Sequence, residues 1–202
     1  MRLLLDTDIF CKLGVAGLLP AAAEALGVTV GECARLPALP HMLRRGSLVK
    51  RYGEAHCAAL GAIVSFLPVV EDASDRWLTP LVSVPDVDAG EAQLLALVAE
   101  HPDLLLTGDK RSLRAAARVQ GLPAAIAGRI VTLEAILVEV CRRNGIDAVR
   151  TAVAPLIALQ PPDRTLAICF SPSNADPIRA LLSYLRCLED EVAPVILWQP
   201  TE

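Results

Sequence analysis

The chain has 202 residues and a net charge of −4, and 53% of it is hydrophobic but only 3% aromatic. That length carries one well-buried core filled by Leu, Ala and Val, and the Ala and Leu content favours helix. The charge excludes a strongly basic nucleic-acid binder and a disordered acidic tail. The longest apolar stretch, Cys57 to Val70, is interrupted by Pro68. It falls short of the roughly 20 residues a bilayer crossing needs. Asp6 cuts off the N-terminal apolar run before a signal-peptide core can form, so the expectation is a soluble, cytoplasmic protein with no membrane contact. The six cysteines show no C-x-x-C spacing and are expected as buried free thiols.

In chain order, Arg2 to Leu5 is a short apolar run ending in Asp6, the pattern of a buried strand. Asp8 to Leu26 reads as helix, with Asp8 as N-cap and Gly27 as C-terminal cap. Val28 to Val30 reads as a brief second strand. Glu32 to Leu67 reads as mostly helical, broken around Pro37, Pro40 and Gly46, and Trp77 to Val84 stays ambiguous. Asp88 to Glu100 is a helix leading into a buried strand at Leu104-Leu105-Leu106. Thr107-Gly108-Asp109-Lys110 then opens a helix from Arg111 to Val119. Gly121 to Gly128 reads as a loop and Arg129 to Thr132 as another strand. Helices are expected over Leu133 to Arg143, Ile146 to Leu159 and Pro177 to Asp190. Alternating strands and helices predict a three-layer α/β/α sandwich on a short parallel sheet, with a helical C-terminal extension. The expected division is an α/β domain over 1–132 and an extension over 133–202 packed on it.

Ligands of open parallel sheets bind beyond the carboxyl ends of the strands. Asp6 and Asp109 each follow an apolar strand at that edge, and Glu91 lies in the first turn of a helix starting there. Clustered carboxylates repel unless a countercharge joins them, and Mg²⁺ or Mn²⁺ suits such oxygen donors. Each acid also has a simpler role as a helix cap: Asp6 and Asp8 for the first helix, Asp88 with Glu91 as a capping box, and Asp109 for the helix after it. Arg44, Arg45, Lys50 and Arg51 form one basic cluster, and Lys110, Arg111, Arg114 and Arg118 another. Such charge runs commonly lie on solvated faces.

Leu-Leu-Asp6-Thr-Asp8, Gly90-Glu91-Ala92 and Leu104-Leu105-Leu106-Thr107-Gly108-Asp109-Lys110 resemble the PIN-domain family of metal-dependent ribonucleases. The resemblance runs from about Arg2 to Thr132. It implies catalytic and metal-binding roles for Asp6, Glu91 and Asp109, with Asp8 and Asp88 as further metal-site residues. It also implies substrate contacts from Thr107, Lys110 and Arg111. The family's additional early-helix glutamate has its best counterpart in Glu32, then Glu54, with Asp88 as a spatial substitute. The implied activity is RNA cleavage with Mg²⁺ or Mn²⁺, and the implied partners are RNA and an antitoxin-like protein. Apolar surfaces at Leu156 to Leu159 and Leu181 to Leu185 suit a homodimer. The alternatives are a weak or inactive PIN-like protein that binds RNA or a partner, and a haloacid dehalogenase-like phosphatase. The latter is argued from Asp6-Thr-Asp8, but Phe10 stands where that family needs Thr or Val.

Overall fold

The computed structural model describes residues 1–201. Four strands form one parallel sheet: β1 (Leu3–Leu5), β2 (Cys33–Arg35), β3 (Leu104–Thr107) and β4 (Ile130–Thr132), in the order β2-β1-β3-β4. The registers pair Leu4 with Ala34 on one side and with Leu105 on the other, and Leu106 with Val131. From β1 the chain moves outward to β2 and then returns to the other side of β1 as β3. The crevice between the ends of β1 and β3 is therefore the topological switch point, where such sheets bind ligands.

Helices α1 (Thr7–Val15) and α2 (Leu19–Ala25) follow β1, and α3 (Leu39–Met42) and α4 (Ser47–Val64) follow β2. Next come α5 (Asp75–Val82) and α6 (Ala89–Glu100), which lead into β3. The short α7 (Lys110–Ala116) and α8 (Leu122–Ala125) precede β4. The chain closes with α9 (Leu133–Asn144), α10 (Ile146–Ile157), α11 (Arg164–Cys169) and α12 (Pro177–Val192).

Alternation along each strand sends neighbouring side chains to opposite faces and makes two cores. Leu3, Leu5, Leu104 and Leu106 pack under α1, α2, α4, α9 and α10. Leu4, Leu105 and Ile130 pack under α5, α6, α7 and α8. Helix α12 contributes Leu181 to the first core and Leu185, Leu188 and Val192 to the second. The result is the expected α/β/α sandwich with further helices at its C-terminal end. Helix α9 belongs to the sandwich interior, buried from Leu133 through Cys141.

Several local expectations change. The single helix over Asp8 to Leu26 is two, because Gly17 takes a left-handed turn (φ 66°) and Pro20 starts α2 afresh. The second strand is Cys33–Arg35 rather than Val28 to Val30; the residues before it form a 3₁₀ turn closed by reciprocal Thr29–Glu32 hydrogen bonds. Trp77 lies on a helix, α5, and the expected loop after Gly121 contains α8. Residues at both sheet edges add one bridge each, Val69 beside Arg35 and Leu197 beside Ile130. Five of the six cysteines are buried and all are free; Cys187 is exposed. No helix among the described residues is long and apolar enough to cross a membrane.

Candidate metal centre

All four strands point the same way, so the residues that follow them meet at one edge. Asp6 ends β1 there, its backbone N–H donating to Leu106 O at 3.1 Å. Asp109 lies two residues beyond β3 at the same edge. Helix α6 runs back against the strands, so its first turn, with Asp88 and Glu91, starts at that edge too. Asp6, Asp8, Asp88, Glu91 and Asp109 line one cavity of about 270 Å³, with Leu48 of α4 on its rim. The predicted acids are thus brought to a shared hollow at the switch point.

Asp88, Glu91 and Asp109 also cap helices, as the simpler reading holds, whereas Asp8, expected as the N-cap of the first helix, lies inside α1 and pairs with Lys12. Glu91 N donates to Asp88 Oδ1 at 2.9 Å, and Asp88 N donates to Glu91 Oε2 at 2.8 Å, which is a full capping box. Asp109 Oδ1 accepts from the backbone N–H groups of Arg111 and Ser112 at 2.8 and 2.9 Å. Each of these caps engages one carboxylate oxygen; the second oxygen of Asp109 faces Arg111 at 3.6 Å. Asp6, at the N-cap position of α1, makes no side-chain cap.

The electrostatics record the crowding. Burial, followed by the charge of Asp8, pushes the Asp6 carboxyl up to about 6. Glu91 is also raised, first by burial and then, against the Asp88 N–H, by Asp109 and Asp88. Burial pushes Asp109 upward, but the Ser112 N–H, a hydrogen bond shared with Glu91 and the Arg111 N–H outweigh it and hold it below its usual value. The closeness of the two carboxyls thus moves them in opposite directions, Glu91 up and Asp109 down. Among the described residues, no three His, Cys, Asp or Glu side chains converge tightly enough to hold an ion as they stand. The carboxylates ring the hollow and are not yet gathered on a point. Hard oxygen donors with unsatisfied negative charge are the donor set that fits Mg²⁺ or Mn²⁺.

Other predicted residues fall elsewhere. Thr107 is buried, its hydroxyl donating to Asp6 Oδ2 (3.3 Å) and accepting from Asp109 N (3.2 Å). It positions two of the acids and has no surface for substrate. Lys110 turns away from the cavity to Glu134 at 2.7 Å and to the face of the Tyr184 ring. Arg111 is exposed, 3.6 Å from Asp109. Glu32 lies before β2 at the opposite sheet edge, tied to Thr29, so it cannot join the site. Glu54 lines a separate cavity of about 450 Å³ between α3 and α4. Asp88 lines the carboxylate cavity, which neither glutamate does.

Three charged residues beside the site were not singled out from the sequence. Lys12 Nζ is 2.7 Å from both Asp8 Oδ2 and Asp163 Oδ2, almost enclosed. Burial lowers the affinity of Lys12 for its proton, but the two carboxylates outweigh that and hold it charged. Glu134, at the start of α9, is buried and paired with Lys110. The four-residue spacing of Asp8 and Lys12 was a legible helical pair. Asp163 and Glu134 carry no such signal, since their partners are distant in sequence. Tyr52 adds a long hydroxyl contact to Asp8 Oδ1 at 3.4 Å.

Against protein-family models, curated proteins and solved structures alike, the chain finds no match.

Proposed function

We propose that the chain is a PIN-domain-like nuclease that hydrolyses RNA phosphodiester bonds with the help of Mg²⁺ or Mn²⁺. The observation that supports this best is the shared cavity of Asp6, Glu91 and Asp109 at the sheet's switch point, with Asp8 and Asp88 on its wall. A divalent ion bound there supplies charge neutralisation of the phosphate and activation of the attacking water. Asp6, Glu91 and Asp109 offer the oxygens that hold it. The protein's part is to keep those oxygens in place. Thr107 ties Asp6 to the start of α7, and the Asp88 capping box fixes the backbone under Glu91. Lys12 offsets the charge of Asp8 from outside the cavity and Arg111 lies 3.6 Å from Asp109, while Asp6, Asp88 and Glu91 have no ion-pair partner among the described residues.

The open spacing of the carboxylates supports a second reading, a PIN-like protein that binds RNA or a partner without cutting it. Calorimetric titration with Mn²⁺ separates the two, alongside a cleavage assay on mixed RNA with and without metal. The nuclease reading expects specific binding and metal-dependent cleavage, both lost in Asp109→Asn. Asparagine caps a helix as well as aspartate does, so that variant keeps its fold. Cleavage by Asp109→Asn at the parent's rate overturns the assignment. Absence of specific metal binding by the parent favours the non-catalytic reading.

A further inference from the structure

A second hollow starts where the carboxylate cavity ends. Arg111, Arg114 and Arg118 form one wall, and Val84, Pro85 and Asp86 the other, around a groove of about 320 Å³. The arginines are spaced i, i+3 and i+7, so α7 and the turn after it present them on one face. At a helical rise the row is about 10 Å long, the span of a few consecutive phosphates. Arg111 joins the two hollows: it lines the groove, and its guanidinium is 3.6 Å from Asp109 of the cavity. On the other wall Asp86 faces the groove and Asp88, two residues on, faces the cavity.

We infer that this arginine-lined groove along α7 is a binding track for a single-stranded polynucleotide running outward from the carboxylate cavity. The track rests on the nuclease reading for its direction, but its binding chemistry stands separately. The Arg111 side chain is 75% exposed, and Arg118 is exposed, its side chain with no hydrogen bond or ion pair among the described residues. Arg114 is held by Glu191, its Nε 3.0 Å from Oε2, which fixes one guanidinium in the middle of the row. Guanidinium groups match phosphate oxygens with paired N–H donors, so a row of arginines at this spacing, with Arg118 unpaired among the described residues and Arg111 largely exposed, favours a phosphodiester chain over scattered anions. The strand is taken as single because Asp6 lies deeper in the hollow than the exposed Asp88. Asp6, half-buried, also borders the apolar side chains of Leu94, Leu95 and Leu105. A backbone held in a stiff duplex does not descend that far. Asp86 opposes the track, its carboxylate on the wall across from the arginines. With a chain net charge of −4, attraction is local and strongly salt-dependent.

The test is fluorescence anisotropy of a labelled single-stranded RNA 12-mer in EDTA, where no metal-dependent cleavage can occur, across a salt series. Arg118→Ala is expected to weaken binding several-fold and to flatten the log–log salt slope by about 0.7, one phosphate contact on a single strand. Asp86→Asn is expected to tighten binding; asparagine accepts the left-handed backbone that Asp86 adopts (φ 68°), so the fold survives. Arg179→Ala, at the end of α12 opposite to Glu191, is the control and leaves affinity unchanged. The track is overturned by unchanged affinity and slope in Arg118→Ala, by a duplex binding as well as the single strand, or by a polyglutamate peptide competing as well as RNA. Arg118-dependent binding without cleavage by the metal-loaded parent keeps the track and removes the nuclease. Metal-dependent cleavage with the parent's KM in Arg118→Ala keeps the nuclease and removes the track.

Discussion

Lys12 Nζ on the first helix lies 2.7 Å from the carboxylate of Asp163, which opens a helix near the other end of the chain. Both side chains are 12% exposed, and Asp163 also caps α11 through Leu166 N at 3.0 Å. Burial alone would raise the Asp163 carboxyl, yet the charge of Lys12 and its hydrogen bond, with the Leu166 N–H, hold it below its usual value. The pair clamps the C-terminal helices onto the layer that carries Asp6 and Asp8.

Lys12→Met should destabilise the protein by about 3 kcal/mol, because removing one partner of an enclosed ion pair strands the other charge. Asp163→Asn should cost less, since Lys12 keeps Asp8 and asparagine keeps the cap. Urea unfolding of both variants checks the order; equal losses would show that the clamp is not electrostatic.

Thr107→Val keeps the shape of the side chain and deletes the hydroxyl between Asp6 and Asp109. The backbone N–H of Asp109 then loses its partner in a part-buried setting, at a cost of about 1–2 kcal/mol. If the proposed site is right, Mn²⁺ affinity should fall with it, while Thr107→Ser restores both. A variant that loses stability but retains full metal affinity would confine Thr107 to the fold.

Gly53 sits inside α4 at φ 81° and ψ 160°, a region open only to glycine, and breaks the helix into two. The piece before it carries Leu48 to the cavity rim and Tyr52 to Asp8. Gly53→Ala should therefore cost about 1–3 kcal/mol and displace Tyr52. Thermal melts measure the first effect and tyrosine fluorescence the second. A melt matching the parent's would mean the break needs no glycine.

Acid should loosen the bottom of the sheet, at the opposite edge from the site. Arg2 holds Glu71 and Asp103 together, at 2.7 and 2.6 Å. The hydrogen bond from Arg2 is the main cause that depresses the Glu71 carboxyl from 4.5 to about 2. A depressed acid stabilises the fold fully above its unfolded value and loses that contribution as pH falls through its folded value. The melting temperature of the parent should drop between about pH 4.5 and 2 more steeply than that of Glu71→Gln. Parallel curves would show that the exposed Glu71 is screened by solvent.

Much of the scaffold and the principal acids could be read directly from local pattern. Leu3–Leu5 and Leu104–Thr107 are unbroken apolar runs, which suits strands covered on both faces, and Asp88 with Glu91 is a capping box visible as spacing. Parallel strands joined by helices force the residues after β1 and β3 to one edge, so the meeting of Asp6 and Asp109 followed from topology alone. Pattern failed where elements were short. Cys33–Arg35 is three residues long, too few for a period to show, and Glu32 was placed on a helix it does not join.

What needed the tertiary structure was the fate of each charge. Thr107 and Lys110 adjoin the site in sequence, but one is buried under the acids and the other is drawn off to Glu134. Lys12 and Asp163 meet only because α11 folds back on α1, and Arg118 lies in a groove whose other wall is the turn at Asp86. Chain order fixes which backbone ends share a sheet edge, since that depends on connections between neighbouring elements. Where a flexible charged side chain finds its partner depends on packing between distant ones, and local sequence holds no record of that.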